Sequence, residues 1–387
     1  MVGLTARSGT SARLGEHLDR LELVDHHVHG TWTQDGDAVR LAGAFNEADT
    51  EPRADPATAW DTQLGFAVRR WCAPVLGLEP HATPEAYLRR RAELGENEVA
   101  RRLLGSAGVG EWLVDTGWSD GLTPPAGLAA LAGGRARTIV RLETLAEELL
   151  PTLDDPGDWA EAFEARVAEA ALGCVGFKSV LAYRCGFAVD LAPPAPAAVA
   201  EAARRWQAGL ADGHPPRLDD PTLIVSGLYA ALRTRRPLQL HVGFGDRDLD
   251  LADVDPLLLT DLLRRPEVRG VPVLLLHCYP YERHAGYLAQ AFAEVHLDVG
   301  LAVHFLGASS PGVVARSLEL APFGQVLYSS DAAGPAELHH LGARLWRRAT
   351  TQVLGGWVDA DEWSEADAAR VATLVGRDNA RRVYDLD

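Results

Sequence analysis

The sequence predicts a (β/α)8 barrel, the TIM-barrel class, with helical insertions on its catalytic face. Eight short apolar runs rich in β-branched residues are separated, in most gaps, by Ala/Leu/Arg/Glu stretches with helical spacing. The chemically capable residues cluster where those runs end, and in such barrels the C-terminal strand ends form the active-site face. An open, doubly wound sheet is the rival. It would want a glycine-rich first strand-to-helix turn for a nucleotide, and residues 25–30 are histidine-rich instead.

In chain order, the expected strands are 21–29, 111–115, 137–143, 174–178, 237–241, 271–277, 295–298 and 325–331. Each is short enough for a strand buried on both faces. Helical spacing recurs at 158–172, 221–235, 255–265 and 283–294. Two segments exceed what a barrel needs. Residues 33–108 hold helical pieces at 56–75 and 84–105, and residues 186–221 are Ala/Pro-rich and then Asp/Gly/Pro-rich. Both are read as insertions covering the site, with 33–108 as a lid. Helical stretches 336–354 and 365–386 form C-terminal helices over 336–387, the second packing across the barrel. The whole chain, 1–387, reads as a single domain.

Composition removes several function classes. The chain is 47% hydrophobic and 24% charged, which excludes whole-chain disorder, collagen and coiled coil. No uncharged apolar run reaches the roughly 18 residues of a membrane span. The first twenty residues lack a signal-peptide core and carry Arg7, Arg13, Glu16, Asp19 and Arg20, so a cytoplasmic location is expected. A net charge of −17 repels phosphate backbones and argues against nucleic acid as a partner. Cys72, Cys174, Cys185 and Cys278 are scattered without a CxxC pair, as in a reducing compartment, and read as structural.

Lys178 is the only lysine, against 36 arginines. Where Arg supplies almost every positive charge, a surviving lysine marks a position that Arg cannot fill. An ammonium can lose its proton and become a nucleophile; a guanidinium effectively cannot. Its surroundings point the same way. His27 and His29 lie two apart on a strand, so both imidazoles face one side and can bind one metal. His241, His277 and Asp331 each end another apolar run, where an unpartnered polar group would be costly. Each has a bland reading, as a core histidine or as a Lys178–Asp331 salt bridge, but together they form a converging ring. An ammonium among metal ions would be repelled. Addition of CO2 to the deprotonated amine gives instead a carbamate anion that can bridge two cations about 3.5–4 Å apart.

These six residues resemble the binuclear pattern of the amidohydrolase superfamily: HxH on strand one, lysine on four, histidines on five and six, aspartate on eight. The stretch Asn379-Ala380-Arg381-Arg382-Val383-Tyr384 is similar to the closing helix of its "amidohydrolase 2" branch. More narrowly, Phe177–Arg184, His241–Asp246 and His277–Tyr281 resemble the amidohydrolase half of FluG-type and nodulin-type proteins. There the barrel is fused to a glutamine-synthetase-like domain, which is not expected in this chain.

The resemblance implies a metal-dependent hydrolase of an amide or related C–N bond, such as a γ-glutamyl or N-acyl amide. It implies two divalent metals, zinc first, with Mn, Fe or Co also fitting. His27, His29 and Asp331 would hold the more buried ion and His241 and His277 the outer one, bridged by carbamylated Lys178 and a hydroxide. Asp331 would act as general base and then general acid. Arg184 is expected to pair with a substrate carboxylate, and Tyr183 and Trp32 to wall the pocket. Arg283, Glu143 and His304 lie near strand ends without a role, and His339-His340 reads as a solvated helix face.

The expected partner is a small-molecule substrate, with functional pairing to a glutamine-synthetase-like ligase as a further implication; oligomeric state, a homo-oligomer included, is left open. Much of the same branch is mononuclear and includes decarboxylases without the strand-four lysine, so decarboxylation of a small carboxylic acid is the alternative. A non-catalytic barrel is the third reading, and the intact ligand set speaks against it.

Overall fold

A computed structural model describes residues 7–47 and 55–387; residues 1–6, and residues 48–54 of the 33–108 insertion, lie outside the described residues. Seven strands pair in parallel in sequence order. They are β1 (Leu23–Val28), β2 (Val109–Asp115), β3 (Arg135–Arg141), β4 (Gly176–Ser179), β5 (Leu238–His241), β6 (Val273–Leu276) and β7 (Val295–Leu297). β1, β4, β5, β6 and β7 are buried along their whole length, as parallel strands sheathed by helices must be.

The eighth run does not form a regular strand, yet it closes the ring. Leu327 N donates to Leu297 O at 2.9 Å on one side, and Asp331 N donates to His27 O at 3.0 Å on the other. The ladder fails because this segment bends: Asp331 has φ +50°, and Ser330 Oγ accepts from Ala332 N at 3.1 Å, a local bond that competes with strand pairing. The result is the (β/α)8 architecture that the alternating pattern predicts.

Helices follow the expected order with instructive breaks. The 84–105 stretch divides into Pro84–Leu94 and Glu96–Ser106 at Gly95, whose φ of +73° ends the first helix. The second starts where Asp35 Oδ1 accepts from Glu96 N at 2.7 Å. The 56–75 stretch is a chain of short 3-10, α and π turns, and 255–265 is one 3-10 turn and one α turn, because Pro56, Pro74 and Pro256 restart the chain. After the closing segment comes the 24-residue helix Ala336–Asp359, and Glu365–Thr373 runs through a π turn into Asn379–Tyr384. No helix among the described residues is long and apolar enough to cross a membrane.

Candidate metal centre

All six predicted residues reach the catalytic face, five of them fully buried and the Asp331 side chain 10% exposed. His27 Nε2 is 2.9 Å from Asp331 Oδ1, His29 Nε2 is 3.6 Å from the same oxygen, and His277 Nε2 is 3.4 Å from Oδ2. Lys178 Nζ lies 3.5 Å from His27 Nε2. The His241 and His277 rings are 4.6 Å apart, and His27 and His277 5.5 Å apart. The ligand atoms of His27, His29 and Asp331 all fall within 4.8 Å of one another.

Hydrogen bonds from the scaffold fix the ring tautomers. Gln239 Nε2 donates to His26 O at 2.9 Å and to Tyr384 Oη at 2.7 Å, which turns its Oε1 toward His27 Nδ1 at 2.8 Å. An amide oxygen can only accept, so Nδ1 carries the proton and Nε2 presents a lone pair to the cluster. His29 Nδ1 likewise donates to Asp115 O at 3.2 Å. Asp298 Oδ1 accepts from the backbone of His277 at 2.9 Å and of Gly300 at 2.8 Å, and its Oδ2 sits 2.9 Å from His26 Nε2. His277 and Asp331 adopt left-handed backbone conformations, φ +70° and +50°. Such strain in non-glycine residues collects where a side chain must be aimed.

Electrostatics make these groups ready ligands. Burial holds His29 down to about 4, and keeps His27, His241 and His277 well below the ordinary histidine value, so the imidazoles are neutral. Burial also lowers the Lys178 amine to about 8 and raises the Asp331 carboxyl to about 6. A bare Nε2 then faces a carboxylate oxygen at 2.9 Å, two acceptors that need a shared proton or cation. His241 Nε2 and both His277 nitrogens are buried without a hydrogen-bond partner. This donor set fits divalent metal.

The sequence matches the amidohydrolase family over residues 24–386. The chain belongs to the amidohydrolase family. Protein fluG of Emericella nidulans is 31% identical over 283 residues, 65% of this chain, and the chain spans only 32% of that protein's length. A Lactobacillus casei ATCC 334 protein, described as a candidate metal-dependent hydrolase, superposes with a TM-score of 0.81 at 30% identity over 96% of this chain and 97% of its own. An uronate isomerase of Bacillus halodurans C-125 shares the fold, with a TM-score of 0.65 at 14% identity over 99% and 98% of the two chains.

Around this amidohydrolase site the other named residues take distinct places. Tyr183 lies against His241, ring centroids 4.4 Å apart. Arg184 is ion-paired with Glu147 at 3.1 Å, with its Nη1 buried and unpartnered. Trp32 is packed inside, with the Arg40 guanidinium 4.2 Å from its ring and Gly36 and Gly334 against it. Arg283 pairs with Glu319 at 2.7 Å on the surface, and Glu143 accepts from Ser179 Oγ at 2.6 Å and Val180 N at 3.0 Å.

The solvated reading of His339-His340 is wrong: both are buried, and His339 Nε2 donates to His29 O at 3.0 Å. The helix that carries them packs inward along its first two turns, where Glu337 is also buried beside Arg91. Sequence reasoning also passed over Gln239, Trp118, Glu47 and Asp246. Burial pushes the Glu47 carboxyl up to about 8, with Asp331 and Asp246 adding to the effect, and pushes Asp246 up to about 6. Gln239, a lone amide two residues before His241 on an apolar strand, was the signal available.

Proposed function

We propose that the protein is a metal-dependent hydrolase that cleaves an amide or related C–N bond of a small molecule. The observation that carries this is His27 Nε2, its lone pair aimed at the cluster, 2.9 Å from Asp331 Oδ1 and beside three unpartnered ring nitrogens on His241 and His277. Two divalent cations, zinc first and Mn, Fe or Co as alternatives, would supply Lewis acidity and lower the pKa of water. His27, His29 and Asp331 would hold one, and His241 and His277 the other. Lys178, its amine lowered to about 8, has a neutral fraction at physiological pH. That nitrogen could add to the carbon of CO2 with loss of one proton, and the resulting carbamate would supply anionic oxygen donors beside the histidines. Asp331, raised to about 6, takes the proton of the attacking water and passes it to the leaving amine.

γ-Glutamyl and N-acyl amides are the class to screen first, on the fluG likeness. The free Nη1 of Arg184 is the group that would meet a substrate carboxylate, its other side being held by Glu147. Pairing with a glutamine-synthetase-like ligase rests on that likeness alone. We place the enzyme in the cytoplasm, with four unpaired cysteines in support.

Metal per chain, measured by elemental analysis on protein purified without chelator in bicarbonate buffer, tests the reading. A value near two that falls to one or below in Lys178→Ala, with turnover lost, is expected. A value near one in the wild type, held by the close His27, His29 and Asp331 group, would replace it with the mononuclear decarboxylase, which releases CO2 instead of an amine.

A further inference from the structure

The loop after β2 carries one large exposed apolar side chain in polar company. Trp118 stands 52% exposed between Gly117 and Ser119-Asp120, with its indole centroid 5.6 Å from the ring of His29, edge to face. Exposed aromatic groups are ordinarily unremarkable when scattered, but this one borders a ligand of the candidate metal centre.

Its loop is also held at the root. Asp115 Oδ1 accepts from Gly117 N at 2.8 Å, while Oδ2 is ion-paired with Arg141 at 2.6 Å. The carbonyl of the same Asp115 orients the His29 ring. A Cβ at Gly117 would come within 2.4 Å of the Arg141 side chain, so the chain passes here only as glycine. One residue therefore anchors both the metal-side imidazole and the base of the indole loop. Across the ligand group, Tyr183 lies against His241. The ligand group is thus flanked by an aromatic ring on the His29 side and another on the His241 side.

We propose that Trp118 forms an aryl subsite: the substrate carries a planar aromatic group directly next to the scissile carbonyl, and that group packs on the indole. The inference rests on the reading above in two ways, through His29 for the place of the subsite and through hydrolysis for the carbonyl. It adds a substrate class that neither fluG nor the ligand set implies. Aromatic pairs prefer offset-stacked or edge-to-face contact at centroid separations of about 4.5–7 Å, a geometry an indole held at its loop root can offer without rearrangement.

The test uses two probes that bind divalent metal through the same two oxygens and differ only in the ring: benzohydroxamate and acetohydroxamate. Their dissociation constants are measured by calorimetry on metal-loaded wild type, Trp118→Ala and Trp118→Phe, with metal content and Tm as folding controls. The wild type is expected to prefer benzohydroxamate by about tenfold. Trp118→Ala should erase that preference while leaving acetohydroxamate binding and metal content unchanged, and Trp118→Phe should keep most of it. Equal affinities in the wild type, or a preference that survives in Trp118→Ala, would overturn the subsite. Failure of both probes to bind the metal-loaded protein would overturn it as well, since the subsite is defined by its place beside a metal ligand. An intact aryl preference without hydrolysis of any aryl amide would instead overturn the hydrolase reading and leave the subsite standing.

Discussion

His304 is buried with neither ring nitrogen hydrogen-bonded, and burial holds it down to about 3. The folded chain therefore keeps it neutral, whereas the unfolded chain protonates it below about 6.5. A depressed histidine stabilises nothing above that pH and makes the fold progressively weaker as the pH drops from about 6.5 toward 3. His304→Leu should remove that acid penalty, worth up to about 1.4 kcal/mol per pH unit. Urea denaturation at pH 5 and pH 7.5 checks it: a larger gain at pH 5 is expected, and an equal gain at both would show that His304 does not titrate in this way. Single residues were legible in the sequence only where composition or strand position set them apart. Lys178 was conspicuous as the sole lysine, and His241 and His277 as polar ends of apolar runs. Gln239 was marked only as a lone amide on an apolar strand, and Trp118 and His339 not at all, because each acts through a neighbour far along the chain or across a loop, and no local periodicity encodes that.

Elements were read well where burial fixed their pattern and poorly where backbone geometry did. The strand cores of β4 to β7 follow directly from runs of apolar residues that sheathed parallel strands demand. The break at Gly95, the π turn Leu374–Asp378 and the bent closing segment depend on single dihedral angles that helical spacing cannot report. The turn after β5 shows how much such an angle carries. Gly243 has φ +74°, and a Cβ there would lie 2.3 Å from Tyr279 O, in the loop that follows the His277 strand. The turn thus lets the two metal-side loops pass backbone to backbone. Gly243→Ala combines a left-handed penalty with a clash and should cost roughly 2–4 kcal/mol. Thermal unfolding measures the cost, and a loss of metal content in the folded variant would show that the crossing also places His241 and His277.

The molecule as a whole is tied by one guanidinium. Arg347, buried in the long helix Ala336–Asp359, donates to Leu18 O at 2.9 Å, Leu21 O at 3.0 Å, Ala107 O at 2.6 Å and Gly108 O at 2.8 Å. These carbonyls belong to the N-terminal helix Arg7–Arg20 and to the approaches to β1 and β2, so the first and last parts of the chain share one knot. Arg347→Met would take a donor from all four carbonyls, leaving Leu18 O with Leu21 N at 3.2 Å and Gly108 O with Leu23 N at 3.1 Å, and should cost on the order of 2–4 kcal/mol in urea denaturation; a loss below about 1 kcal/mol would mean that water replaces the guanidinium. Arginine's fixed fork suits this task and lysine's point charge does not. Alternation of strand and helix encodes a ring that closes, but not what clasps it. The closing segment has a consequence for assembly in time. Asp331 is the last of the six candidate ligands along the chain and sits on the segment that seals β7 to β1. A growing polypeptide that has not yet emitted this segment holds four imidazoles from three strands but neither the carboxylate nor the seam, so metal uptake would report that synthesis has passed residue 331 and that the ring has shut.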